Sequence, residues 1–144
     1  MHRFHISRTI AAPPSRVWQV LTDRDLLASG GFGLTRLDAP TQRLAEGQTL
    51  RLVAEVSGKR VFTLRIAEMI PERRMVWRGG MPFGLFVGTR TFHLSEEGDG
   101  TQFEMEEVFT GPLARLIGRS LPDLTPSFIL FAGALASHSE RELS

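Results

Sequence analysis

Polar and apolar positions alternate along most of this chain, and the alternation gives way to a three-and-four spacing in the tail. Residues 3–10 set Phe4, Ile6 and Ile10 against His5, Ser7 and Thr9, which predicts a strand. Ala11-Ala12-Pro13-Pro14 ends it and starts a helix, because proline suits a first helical turn. Val17, Trp18 and Leu21 form the apolar face of that helix. Thr22 or Asp23 caps a second short helix that buries Leu26 and Leu27, and Gly30-Gly31 stops it. From Phe32 the period becomes two. Phe32, Leu34 and Leu37 suggest a strand, followed by a polar loop from Asp38 to Gly47. Residues 48–57 place Leu50, Leu52, Ala54 and Val56 opposite Arg51 and Glu55. Gly58-Lys59-Arg60 suits a hairpin into residues 61–70, where Phe62, Leu64 and Ile66 face in. Pro71-Glu72 reads as a two-residue turn, after which Met75 and Trp77 face in while Val76 and Arg78 face out. Strands over 88–95 and 101–110 flank a charged turn from Ser95 to Gly100.

The tail differs. Leu124, Phe128, Phe131 and Leu135 fall on one face of a helix. Gly118 and Pro122 divide it, so residues 112–121 predict a short helix and Thr125-Pro126 opens a longer one running to about Glu142. A helix with so wide an apolar face needs a cover, and the strands supply one. The expected architecture is α+β: a curved seven-stranded antiparallel sheet wrapped around a long C-terminal helix, with two short helices between strands 1 and 2. Its 144 residues suffice for one domain with a real core.

Charge and composition narrow the functional classes. Seventeen basic and 16 acidic residues leave a net charge of +1, which argues against a nucleic-acid or polybasic membrane surface. Absence of cysteine removes disulfides, thiol nucleophiles and thiolate metal sites, and absence of tyrosine removes a tyrosine acid or base. No apolar run approaches a membrane span and the start carries no signal pattern, so the cytoplasm is the default expectation.

The order of elements and several local sequences resemble the START-type helix-grip superfamily of polyketide cyclases and lipid-transfer proteins. The resemblance rests on the segment from Ala12 to Asp23, on Arg90-Thr91-Phe92-His93-Leu94, on the Gly98-Asp99-Gly100-Thr101 turn, and on Glu107-Val108-Phe109-Thr110-Gly111. It covers nearly the whole chain. It implies a helix-grip domain over residues 1–144, with a cavity between sheet and C-terminal helix that takes a small hydrophobic molecule.

Candidate chemistry centres on a pair. If Leu94 pairs with Phe103 across the charged turn, Phe92 meets Met105 and Arg90 meets Glu107 on the apolar face. One reading has Arg90 hold a ligand carboxylate, phenolate or carbonyl, with Glu107 orienting it. The other is a structural cross-strand pair closing one end of the cavity. Glu68 shares parity with Ile66 and becomes a candidate general base if it faces inward. The expected ligand-binding residues are Phe32, Leu52, Leu64, Trp77, Arg90, Phe92, Met105, Glu107, Phe128 and Phe131. His2, His5, His93 and His138 have no spacing that suits a metal triad, no cofactor motif is present, and none is expected. The charge-free stretch from Gly79 to Gly88 is either an entrance or a hairpin tip tucked against the helix pair or against a homodimer mate. Three functions therefore stand open: a carrier of a small hydrophobic or amphipathic ligand, a cyclase- or dehydrase-like enzyme, and a protein-interaction domain of the co-chaperone kind.

Overall fold

The computed structural model describes residues 2–55, 58–119 and 123–141. Seven strands, β1 (His2–Ile10), β2 (Leu34–Asp38), β3 (Thr49–Ala54), β4 (Phe62–Ile70), β5 (Arg74–Gly80), β6 (Val87–Glu97) and β7 (Gly100–Thr110), form one sheet. Its order is β1-β7-β6-β5-β4-β3-β2, antiparallel throughout. Helices α1 (Pro14–Leu21) and α2 (Arg24–Ser29) connect β1 to β2, and α3 (Ala114–Gly118) and α4 (Thr125–Arg141) follow β7. The first strand therefore pairs with the last, and the sheet curls round α4.

Local chemistry explains the helix boundaries. Pro14 occupies the first turn of α1, where no intrahelical N–H bond is lost. Asp23 is the cap of α2: its carboxylate accepts from the N–H groups of Asp25 at 2.9 Å and Leu26 at 3.1 Å. Thr22, the other candidate cap, turns back to Trp18 and receives Arg43 instead. Asp123 does the same service two residues before the expected cap of α4, accepting from Thr125 N–H at 3.0 Å. That bond, with the hydroxyl of Thr125, holds the Asp123 carboxyl below the usual carboxylate range. The expected ends of the strand at residues 56–57, of the short helix at 120–121 and of the long helix at Glu142 lie outside the described residues.

Three expectations about the sheet need correction. Phe32 precedes β2 rather than opening it, yet is buried. The turn after Ile70 holds three residues, since Ile70 pairs with Arg74. Glu72 occupies its left-handed position, with φ 62°. A non-glycine residue there costs about 1–2 kcal/mol, so Glu72→Gly is expected to stabilise the fold by about 0.5–1 kcal/mol after its entropy cost, read as a higher urea midpoint with unchanged slope. Finally, a bulge at Ala67 separates the Ile66–Trp77 pair from the Glu68–Val76 pair. The extra residue reverses the parity of everything beyond it. Glu68 therefore leaves the concave face and sits on the outside, 3.7 Å from Arg74, while Met69 takes the inward position opposite Met75. Val76 points outward as expected but is buried there.

The core lies between the concave face and α4. Phe92 contacts Trp77, Phe103 and Phe131 with ring centroids 4.8, 6.5 and 5.4 Å apart, and Phe131 meets Phe32 at 4.9 Å. At the far end of α4, His138 stacks on Phe32 and bonds the Gly30 carbonyl at 2.8 Å, which ties α4 to the end of α2.

Candidate functional site

The register expected from the charged turn is the observed one: Leu94 opposes Phe103, Phe92 opposes Met105 and Arg90 opposes Glu107. One row across the concave face reads Phe4, Glu107, Arg90, Trp77, Ile66. Apart from the Trp77 indole N–H, only Glu107 and Arg90 are hydrophilic in that row. Arg90 donates from Nε at 3.0 Å and from Nη2 at 2.5 Å, both to Oε2 of Glu107. Its guanidinium lies over the Phe128 ring of α4, 5.0 Å from the centroid. The side chains keep 20% and 13% of their exposure, so the pair is half-buried at the rim rather than sealed inside.

Because both bonds converge on Oε2, Arg90 Nη1 and Glu107 Oε1 take no hydrogen bond among the described residues. The pair thus offers one donor group and one acceptor oxygen side by side. Trp77, beside Arg90, also has its Nε1 buried without an acceptor. A buried donor left so costs free energy that a ligand acceptor would return.

Two glycines adjoin the pair. The following row contains Gly79 and Gly88, opposite each other on β5 and β6, and the Leu64 side chain lies directly over Gly79. A Cβ on Gly88 would stand 3.1 Å from the Phe109 ring and 3.2 Å from Glu107 Oε1, so no side chain fits there without displacing one of them. Phe109 covers Gly88, with Phe86 stacked on it at 5.3 Å and Phe4 against its edge at 6.3 Å. Beyond Phe109, an open cleft of about 330 Å³ lies where β7 hands over to α3, lined by Phe109, Thr110, Gly111, Pro112, Ala114 and Arg115. The connection from β5 to β6 closes its side: Leu113 N–H donates to the Leu85 carbonyl at 2.9 Å. A second cleft, of about 380 Å³, is polar and lies on the outer face around Glu104, which accepts from His5 Nε2 at 3.3 Å.

The expected ligand-binding residues thus separate into two sets. Phe32, Leu52, Trp77, Phe92, Met105, Phe128 and Phe131 are buried and packed on one another. Leu64, Arg90 and Glu107 are the half-buried ones. The structure brings Arg90 and Glu107 together and sends Glu68 to the opposite face. Phe109 and Phe4 were missed as neighbours of the pair, although both share its strand parity and could have been found by extending the register outward. Arg115 had no sequence signal, because nothing in its local pattern places α3 against the strand end. Among the described residues, no group of three His, Asp or Glu side chains could hold a metal ion.

A family model described as "Polyketide cyclase / dehydrase and lipid transport" matches residues 1–129. The chain belongs to that family. Solved structures agree on the helix-grip fold of this family. The Zhui aromatase/cyclase from a Streptomyces species superposes with a TM-score of 0.74 at 19% identity, over 99% of this chain and 97% of that one. A Thermus thermophilus protein gives 0.75 at 21% identity, over 99% and 100% of the two chains. A Mesorhizobium loti protein gives 0.73 at 21%, over 97% and 98%. A search of curated proteins finds no match. Identities this low carry the fold and leave the activity to the residues of this chain. No helix among the described residues is long and apolar enough to cross a membrane.

Proposed function

We propose that this protein binds a small amphipathic molecule between the rim of the concave sheet face and α4, with its polar end on Arg90 and Glu107. The observation that carries the reading is the one-sided ion pair. Both Arg90 bonds go to a single oxygen of Glu107, and an adjacent donor and acceptor are left without a partner, with Phe109 and the open cleft beyond it next to them. A ligand oxygen can accept from Arg90 Nη1 while a ligand hydroxyl donates to Glu107 Oε1. Phe109, Phe4 and Phe128 offer aromatic surface to the apolar part. The family's description and its aromatase/cyclase relative support a ligand of this character.

The enzyme reading uses the same atoms. A cyclase- or dehydrase-like reaction would rely on positioning, with Arg90 stabilising negative charge developing on a substrate oxygen. With Glu68 outside, Glu107 is the carboxylate next to that point, and its engagement with Arg90 favours the acceptor role over that of a base. Binding is therefore the first reading and turnover the second.

Native mass spectrometry on freshly purified protein tests the proposal. A co-purified adduct of small-molecule mass, lost on Arg90→Met with the fold intact by circular dichroism, is the expected result. A bare spectrum, combined with no thermal shift from amphipathic carboxylates or phenols, would overturn it.

A further inference from the structure

Eight large apolar side chains are exposed among the described residues, and seven of them lie at one end of the molecule. The strand directions decide this. The hairpin before β4, the connection between β5 and β6, and the passage from β7 into α3 all fall at the same sheet end. Val61 sits on the first, Met81, Phe83 and Leu85 on the second, and Leu116 on α3. Ile129 and Leu130 join them from the first half of α4, whose Phe128 touches Arg90 at that end. Ile70 is the exception, at the opposite end of β4.

Phe83 stands out within the group. It is 99% exposed, at the tip of the connection, on a left-handed backbone with φ 62°. A large ring on that conformation gains nothing from the fold that carries it: the backbone is strained and the ring is in water. The connection is nevertheless held in place, by Met81 N–H on the Phe86 carbonyl at 2.8 Å and by the Leu113–Leu85 bond.

Charge at this end is not that of the whole chain. Lys59, Arg60, Arg115 and Arg119 are exposed here and form no ion pair among the described residues, against two exposed acids at this end, Glu55 and Asp123. No acidic residue occurs from Gly79 to Ser95 or from Val108 to Pro122. An apolar tip ringed by unpaired cations is complementary to a bilayer surface, where rings insert at the headgroup boundary and cations meet anionic headgroups.

We propose that this end docks the protein on an anionic lipid surface, with Phe83 inserted and the four cations on the headgroups. The docked face is also the face on which the cleft beside Phe109 opens, so a bound molecule could pass to or from the lipid without crossing bulk water. The docking itself does not depend on the ligand site and is tested apart from it.

Co-sedimentation of the purified chain with phosphatidylcholine vesicles, with and without phosphatidylglycerol, provides the test. Binding is expected to require phosphatidylglycerol and to weaken at high salt. Phe83→Asn keeps a residue that tolerates positive φ and removes the ring, so it should fold normally and lose at least about tenfold in vesicle affinity. Replacing Arg115 and Arg119 together by Gln should remove the preference for phosphatidylglycerol. No sedimentation of the parent protein with anionic vesicles, or Phe83→Asn binding as well as the parent, would overturn the proposal. So would sedimentation velocity showing a dimer that Phe83→Asn splits while vesicles capture neither form, because the apolar end would then be covered by a second copy.

Discussion

Phe92→Ala is expected to cost about 3–5 kcal/mol of stability. Phe92 is fully buried at the centre of β6 and touches rings from β5, β7 and α4 at once. Its removal leaves a void that Trp77, Phe103 and Phe131 can close only by leaving their own packed positions. A domain of this size has about 5–15 kcal/mol in all, so the variant should sit near the edge of folding. At about 2–4 °C per kcal/mol, its thermal midpoint should fall by about 6–20 °C. Phe92→Leu, which keeps most of the volume, should cost under about 1.5 kcal/mol. The measurement also bears on the binding site. A loss below about 1 kcal/mol for Phe92→Ala would mean that the interior is loosely filled, and that a ligand can sit deeper than the rim.

Arg90→Met is the second large effect, and it acts through what is left behind. The substitution fills similar space over Phe128 but strands the Glu107 carboxylate on an apolar face. Breaking a buried pair in this way costs about 3–5 kcal/mol, and the partial exposure of both groups lowers the expectation to about 2–3 kcal/mol. Adding Glu107→Leu should recover most of that loss, because no orphaned charge remains. Chemical denaturation of the two single variants and the double variant gives the coupling directly. If the double variant regains its stability while the ligand adduct stays absent, the pair is kept for recognition. If it regains both, the pair serves only to close the sheet end and the proposed site is wrong.

The same strand carries both expectations, and this connects stability to function. β6 presents Phe92 to the sealed core and Arg90, two residues earlier, to the rim. At Gly88, two residues earlier again, the Phe109 ring and Glu107 Oε1 take the space that a side chain would need. Moving along one strand by steps of two passes from packed interior to polar anchor to a glycine covered by Phe109. A ligand held at the anchor would rest on rings already fixed by the core, which lowers the ordering cost of binding it.

What the sequence settled by itself was local or set by a short turn. The alternation of Leu94, Phe92 and Arg90 against Phe103, Met105 and Glu107 runs through one tight hairpin, and a period of two leaves no freedom in a register so anchored. The proline openings of α1 and α4, and the narrowing of the α2 cap to Thr22 or Asp23, were legible to within a residue for the same reason. The tertiary structure alone decided the rest. One bulge at Ala67 turned Glu68 from the concave to the outer face, and a bulge has no reliable signal in a run such as Leu64-Arg65-Ile66-Ala67-Glu68. The three-residue turn placed Glu72 at a position its residue type does not favour. Phe83 and Leu116 carry the apolar character of core residues, and only the shared end of strands β4 to β7 shows that they face outward together. Hydrophobic pattern states that a side chain is apolar; whether water is taken away from it depends on elements far apart in the chain.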